Sequence, residues 1–182
     1  MRILAISGSL RRVSSNTELL RAAAALAPSD MVIELYDGLD RLPHFNPDVE
    51  PEQSPAVMEL KTRLNAAAGL LISSPEYARG VPGSLKNALD WLVSGSEFVD
   101  KPVALLSAST RSMHAYEALK VTLTTMSGRV VADASITVPL LGRNLDAVGI
   151  AADPELAEML RRALWSFRLA ILGREVNAPT RS

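Results

Sequence analysis

Short apolar runs alternate with longer amphipathic stretches along the chain. The runs at 2–7 (RILAIS), 31–36 (MVIELY), 69–73 (GLLIS), 102–108 (PVALLSA) and 129–138 (RVVADASITV) are mostly continuous in apolar character. That pattern marks strands buried on both faces. Between and after them, 16–27, 56–67, 84–93, 113–126 and 154–172 place apolar residues at helical spacing. Asn16 stands near the start of the first helix, Pro82-Gly83 leads into the third, and Gly173 stops the last. A polar, proline-rich stretch runs from Asp37 to Pro55. The alternation predicts an α/β fold with a parallel sheet covered by helices on both faces. Neither an internal repeat nor a second hydrophobic unit is visible. One domain over 1–172 is expected, with 173–182 as a loose C-terminal tail.

Five parallel strands in a doubly wound, three-layer fold commonly take the order 2-1-3-4-5, and ligands bind at the carboxyl ends where that order reverses. The loops after strands one, three and four then share one rim. They read SGSLRRVSSNT (7–17), SPEYARGVPGS (74–84) and SASTRSMH (107–114). A single site built from three separate segments is expected there.

Composition narrows the chemistry. The chain has 182 residues, 48% of them hydrophobic, and a formal charge of −1. Its arginines are dispersed rather than set in a basic stripe, so a nucleic-acid partner is not expected. No apolar run approaches the roughly 20 residues that cross a bilayer, and the first strand is too short for a signal-peptide core. A cytoplasmic location is the expectation. The absence of cysteine excludes disulfides, a thiolate nucleophile and cysteine-ligated clusters. The two histidines, His44 and His114, are far apart and predict no metal site. Any redox or group-transfer chemistry would need a bound organic cofactor.

The first loop has the character of an anion cradle. A helix N-terminus offers unpaired N–H groups and the positive end of its dipole. Ser9, Ser14, Ser15 and Thr17 add hydroxyls, Asn16 an amide and Arg11 a fixed charge. Neither the Walker pattern nor G-x-G-x-x-G is present, and the donor set suits a terminal phosphate monoester. Read from the loop alone, a solvated turn with an ordinary serine or asparagine cap is an equal alternative.

Three motifs alter that balance. Residues 75–92, PEYARGVPGSLKNALDWL, resemble the signature P-E-Y-N-x-[SG]-x-P-G-x-L-K-N-A-[IL]-D-W of the NADPH-dependent FMN reductase family. These are flavodoxin-like quinone, azo-compound and chromate reductases. Gly8, Ser9, Leu10, Arg11, Ser14 and Asn16 match its opening G-S-L-R-x-x-S-x-N, and LPHFNPD at 42–48 echoes a third element. The resemblance spans roughly residues 2–140. It implies that Ser9, Arg11, Ser14, Asn16 and Thr17 hold the FMN phosphate, and that Pro75, Glu76, Tyr77, Ala78, Arg79 and Gly80 lie along the flavin ring. Ser107 and Ser109 are expected to offer donors to its pyrimidine edge. Two departures stand out. Ala78 replaces the usual Asn, and 107–114 replaces a glycine-rich turn with bulkier residues, so that Met113 and His114 are expected to narrow the substrate side.

The resemblance further implies an oxidoreductase using FMN with NADPH or NADH as reductant. Quinones, azo compounds, metal oxyanions or free flavin would be reduced in a ping-pong cycle, with no catalytic side chain beyond the cofactor. A homodimer or homotetramer is expected, with Trp91, Val93, Met113 and Tyr116 as contacts. An electron carrier of flavodoxin type and a flavin-binding protein without activity are the alternatives. Lys86, Asn87, Asp90 and Trp91 otherwise read as structural or interface positions, His114 as a helix-start residue, and Arg79 as either a solvated charge or a nucleotide contact. The acceptor, the nucleotide preference and the choice between dimer and tetramer are not legible.

Overall fold

The computed structural model describes residues 1–173, so the expected loose tail lies outside the described residues except for Gly173. Strands β1 (Arg2–Ser7), β2 (Val32–Tyr36), β3 (Gly69–Ser73), β4 (Pro102–Ser107) and β5 (Arg129–Val130) are parallel in the order β2-β1-β3-β4-β5. A sixth short strand, β6 (Ile136–Thr137), also pairs with β4. The helices are α1 (Ser15–Ala25), α2 (Pro55–Ala66), α3 (Gly83–Leu92), α4 (Met113–Thr125), α5 (Ala147–Ala152) and α6 (Pro154–Ile171). The expected flavodoxin-like α/β fold is the observed one.

Alternation along β1 separates the core into two layers. Leu4 and Ile6 of β1 join Leu60 and Leu64 of α2, Leu85 and Leu89 of α3, and Leu119 and Leu123 of α4. Ile3 and Ala5 face the other way, against Leu19 and Leu20 of α1, Ile150 of α5, and Leu160, Leu164 and Phe167 of α6. Successive side chains of a strand point to opposite faces, so a continuous apolar strand feeds both layers. Each such buried leucine stabilises the fold by about 1.5–3 kcal/mol relative to exposure.

The single long fifth strand expected at 129–138 is instead two short pieces separated by a 3-10 turn at Ala132–Ala134. Ser135 repairs the interrupted ladder. Its Oγ accepts from the Leu105 N–H at 3.1 Å and donates to the Val131 carbonyl at 2.8 Å. A side-chain hydroxyl thus stands where a strand carbonyl would have been, a substitution that hydrophobic pattern does not reveal. Helix α5 was also not foreseen. It is short, and its N-terminus is tied down from a distance by Glu18 of α1, whose carboxylate accepts from the Ala147 N–H at 2.9 Å.

A second correction concerns Trp91. Only 1% of it is exposed, and its indole N–H donates to the Pro43 carbonyl at 2.8 Å. Asn87 binds the same segment, accepting from Phe45 N–H at 2.7 Å and donating to the Pro43 carbonyl at 2.9 Å. Phe45 packs edge-on against Trp91. These side chains fasten the 43–45 segment to α3, so Trp91 is an interior anchor and not a surface contact between subunits. Val93 and Met113, also expected as contacts, are exposed.

Candidate functional site

Register brings the loops together. Ser7 pairs with Ser73 at the ends of β1 and β3, and the next residue continues the ladder, with Gly8 N–H donating to the Ser73 carbonyl at 2.8 Å. A Cβ on Gly8 would lie 2.6 Å from Ser74 Oγ and 3.1 Å from Leu85 Cδ2. Only glycine lets the first loop approach the third-strand loop this closely.

Beyond Gly8 the first loop is organised by its own hydroxyls. Ser7 Oγ and Thr17 Oγ1 are 2.8 Å apart, and Ser7 Oγ accepts from the Ser9 N–H. Ser9 Oγ accepts from the Arg11 N–H at 3.3 Å. The buried Ser73 hydroxyl donates to Asn16 Oδ1 at 2.9 Å, joining α1 to the end of β3. Asn16 is therefore a strut between the two loops with its amide donor group left over, rather than a cap.

Ser14 does stand at the N-cap of α1, in extended conformation, but its side chain makes no capping hydrogen bond. Its carbonyl accepts from Glu18 N–H, and among the described residues the Ser15, Asn16 and Thr17 N–H groups find no backbone partner. An ordinary cap would have used the Ser14 hydroxyl on one of them. Here the hydroxyl and the N–H groups are left open together at the start of α1, a donor set that suits an acceptor-rich ligand. Arg11 and Arg12 are exposed, and among the described residues neither forms an ion pair. Ser9, Arg11, Arg12 and Thr17 line one wall of an open cleft of about 370 Å³, with Asp37 and Asp40 beyond the end of β2 on the other.

The second loop contains a backbone anomaly. Ala78 and Arg79 have φ of 49° and 62°, both in the left-handed region. Tyr77 and Gly80 exchange backbone hydrogen bonds of 3.1 and 2.9 Å across them. These are the signs of φ that a type I′ turn requires, a turn normally made by Asn-Gly or Asp-Gly. Each non-glycine residue held there costs about 1–2 kcal/mol. Asparagine tolerates the region better than alanine, so the Ala78 departure retains the turn and removes what eased it. Pro75 is half-buried, while Tyr77 is 51% exposed and Arg79 is exposed as well.

Glu76 reaches a different element. Its Oε2 accepts from the Ala115 N–H, in the first turn of α4, at 2.9 Å. Ser112, at the N-cap of that helix, makes no side-chain cap. The third loop is otherwise closed on itself. The Ser107 hydroxyl donates to the Ser109 carbonyl at 2.8 Å, and Ser109 Oγ accepts from the Arg111 N–H at 3.1 Å. Ser107 spends its hydroxyl proton on that carbonyl, so of these two serines only Ser109 keeps a free side-chain donor. Met113 and His114 form the exposed first turn of α4 on the same rim.

The structure thus brings all three predicted segments to one edge of the sheet. Sequence reasoning missed Ser7 and Ser73, whose hydroxyls hold Thr17 and Asn16. Serine at the last position of both strands, where an apolar run would otherwise end, was the available signal. Among the described residues no group of three or more histidines or acidic residues is placed to hold a metal, and no helix is long and apolar enough to cross a membrane.

A doubly wound parallel sheet with a hydroxyl-rich loop after its first strand, and two further loops on the same rim, defines the flavodoxin-like class. Comparison with known proteins gives the family. The pattern of the NADPH-dependent FMN reductases matches residues 1–140, and the chain belongs to that family. It is 33% identical to an NAD(P)H-dependent FMN reductase of Pseudomonas aeruginosa, over 93% of this chain and 94% of that protein. It is 36% identical to a protein named "Probable NADPH:quinone oxidoreductase 2" of Oryza sativa subsp. japonica, over 98% and 94%. Among solved structures, the flavoenzyme NAD(P)H:(acceptor) oxidoreductase FerB from Paracoccus denitrificans superposes with a TM-score of 0.76 at 26% identity, covering 96% of this chain and 99% of that one. The chain is accordingly an FMN- and NAD(P)H-dependent oxidoreductase.

Proposed function

We propose that residues 1–172 form one FMN-binding domain that reduces small acceptors (quinones, azo compounds, metal oxyanions or free flavin) at the expense of NAD(P)H. The observation that carries this reading is the uncommitted donor set of the first loop. A phosphate monoester matches the Ser14 hydroxyl, the Ser15, Asn16 and Thr17 N–H groups and the Arg11 guanidinium in charge and in number of acceptors. Ser9 and Thr17 complete the cradle. Pro75 to Gly80 and Ser109 would border the ring, with Ser107 holding the shape of its loop.

When bound, FMN supplies two-electron chemistry, taking reducing equivalents from the nicotinamide and giving them to the acceptor in turn. This chain's residues position the participants. The Ser7–Thr17 and Ser73–Asn16 contacts fix the cradle relative to β1 and β3. Tyr77 offers an exposed aromatic face, and Arg79 and Arg111, unpaired among the described residues, place positive charge where an anionic nucleotide would arrive. No general base is needed. The rim is open to solvent, and a subunit contact through Met113, in the first turn of α4, would wall it, whereas Val93 follows the far end of α3; a homodimer or homotetramer in the cytoplasm is part of the proposal.

The test is the visible spectrum of the purified protein, followed by anaerobic titration with NADPH and NADH and turnover with menadione. A flavin spectrum bleached by nucleotide and restored by quinone is expected. Bleaching only by a reduced protein partner would instead indicate an electron carrier. Light scattering at micromolar concentration tests assembly, and a monomeric mass removes that part.

A further inference from the structure

The strained turn at Ala78-Arg79 needs something to hold it, because a backbone in the left-handed region persists only where its surroundings over-determine it. The Tyr77–Gly80 hydrogen bonds close the turn on itself and do not attach it to the protein. Among the described residues, the Glu76 carboxylate makes the only side-chain hydrogen bond between residues 75–81 and another segment. It receives the Ala115 N–H of a helix whose own N-cap residue leaves that end open. A carboxylate at a helix N-terminus is also favoured by the dipole.

We infer that Glu76 is a positioning residue: its carboxylate docks the 76–80 turn onto the first turn of α4, and so sets the geometry of the loops that carry Tyr77, Arg79 and Met113. The inference rests on the proposed site but concerns the chain's own residues. One bond joins the ring-side turn to the substrate-side helix. If it is lost, the turn is free to leave its costly conformation and the two loops separate. The cradle of the first loop is held independently by Ser7 and Ser73 and keeps its shape.

Two variants separate reach from charge. Glu76→Gln preserves an oxygen acceptor at the same reach, whereas Glu76→Asp keeps the charge and is one methylene short. Amide hydrogen exchange on the full-length protein, without nucleotide or acceptor, gives a readout independent of turnover. In Glu76→Asp, exchange at Ala115 and at the Tyr77 and Gly80 amides should accelerate by ~10-fold or more, the equivalent of one charge-assisted hydrogen bond, while β1, β3 and β4 stay protected. With FMN saturating, the same variant should raise KM for the acceptor by about 10-fold with kcat changed less than about threefold. Glu76→Gln, which keeps the acceptor and its reach but loses the charge, should show a clearly smaller change than Glu76→Asp in both measurements. Unchanged exchange at these amides in Glu76→Asp overturns the inference, as does a loss in Glu76→Gln equal to that in Glu76→Asp. Altered exchange without any NAD(P)H oxidation in the parent protein would leave the dock standing and remove the proposed activity.

Discussion

Gly8 offers a test of how closely the first two loops must approach. Replacing it with alanine places a methyl group 2.6 Å from Ser74 Oγ, 3.0 Å from Ser74 Cβ and 3.1 Å from Leu85 Cδ2. The Ser74 hydroxyl can retreat only by giving up its 3.1 Å hydrogen bond to the Pro75 carbonyl, and Leu85 is fully buried. Gly8 is not in the left-handed region, so the penalty is crowding and not backbone strain. Overpacking of this kind costs about 1–3 kcal/mol. The relief available is a shift of the first loop away from the third-strand loop, which stretches the Gly8–Ser73 and Asn16–Ser73 contacts and loosens the proposed phosphate cradle. Gly83 is the control, since a Cβ there meets nothing within 4 Å and its residue opens α3. Gly83→Ala should stabilise by about 0.4–1 kcal/mol, chiefly by restricting the unfolded chain. Urea denaturation of the apoprotein and FMN titration by fluorescence quenching read both quantities. The expected pattern is a loss of stability and FMN affinity in Gly8→Ala and a gain of stability in Gly83→Ala. Equal stability and equal FMN affinity of Gly8→Ala and the parent would refute the close-approach reasoning.

Arg11→Ala should weaken FMN binding by about 1.5–3 kcal/mol, the value of a charge-assisted hydrogen bond; an unchanged dissociation constant in a folded variant removes the phosphate assignment. Ala78→Asn should raise thermal stability by up to about 1 kcal/mol because asparagine visits the left-handed region more readily, and a lower midpoint in calorimetry would contradict the strained-turn reading. Replacing Met113 and His114 with alanine, which keeps α4 intact, should raise kcat/KM for bulky quinones by ~10-fold if those side chains narrow the rim. Equal values for large and small acceptors in that double variant would count against it.

Much of this protein can be read without coordinates. Continuous apolar runs as short as RILAIS and GLLIS, set between longer helical stretches, read as strands buried on both faces, and their alternation with helices leaves a parallel sheet and a ligand rim at its carboxyl end. The serine-rich segment after β1 and the PEYARG segment after β3 could be placed on that rim because each is a short, contiguous stretch following its strand. Tertiary structure decided whatever depends on a partner distant in the chain. Asn16 reads as an amide donor or a cap, and only the fold shows Ser73 using its carbonyl oxygen; nothing in the sequence tells that Glu76 reaches the Ala115 N–H. Trp91 reads as either a structural or an interface position, and only the fold shows Pro43 and Phe45 covering it. Likewise, the apolar run at 129–138 cannot show that Ser135 will replace a ladder carbonyl and let the strand break. Hydrophobic spacing specifies which face of an element is buried, because that depends on the element's own period. Which polar group answers which depends on loop closure and packing, and these exist only once the sheet is assembled.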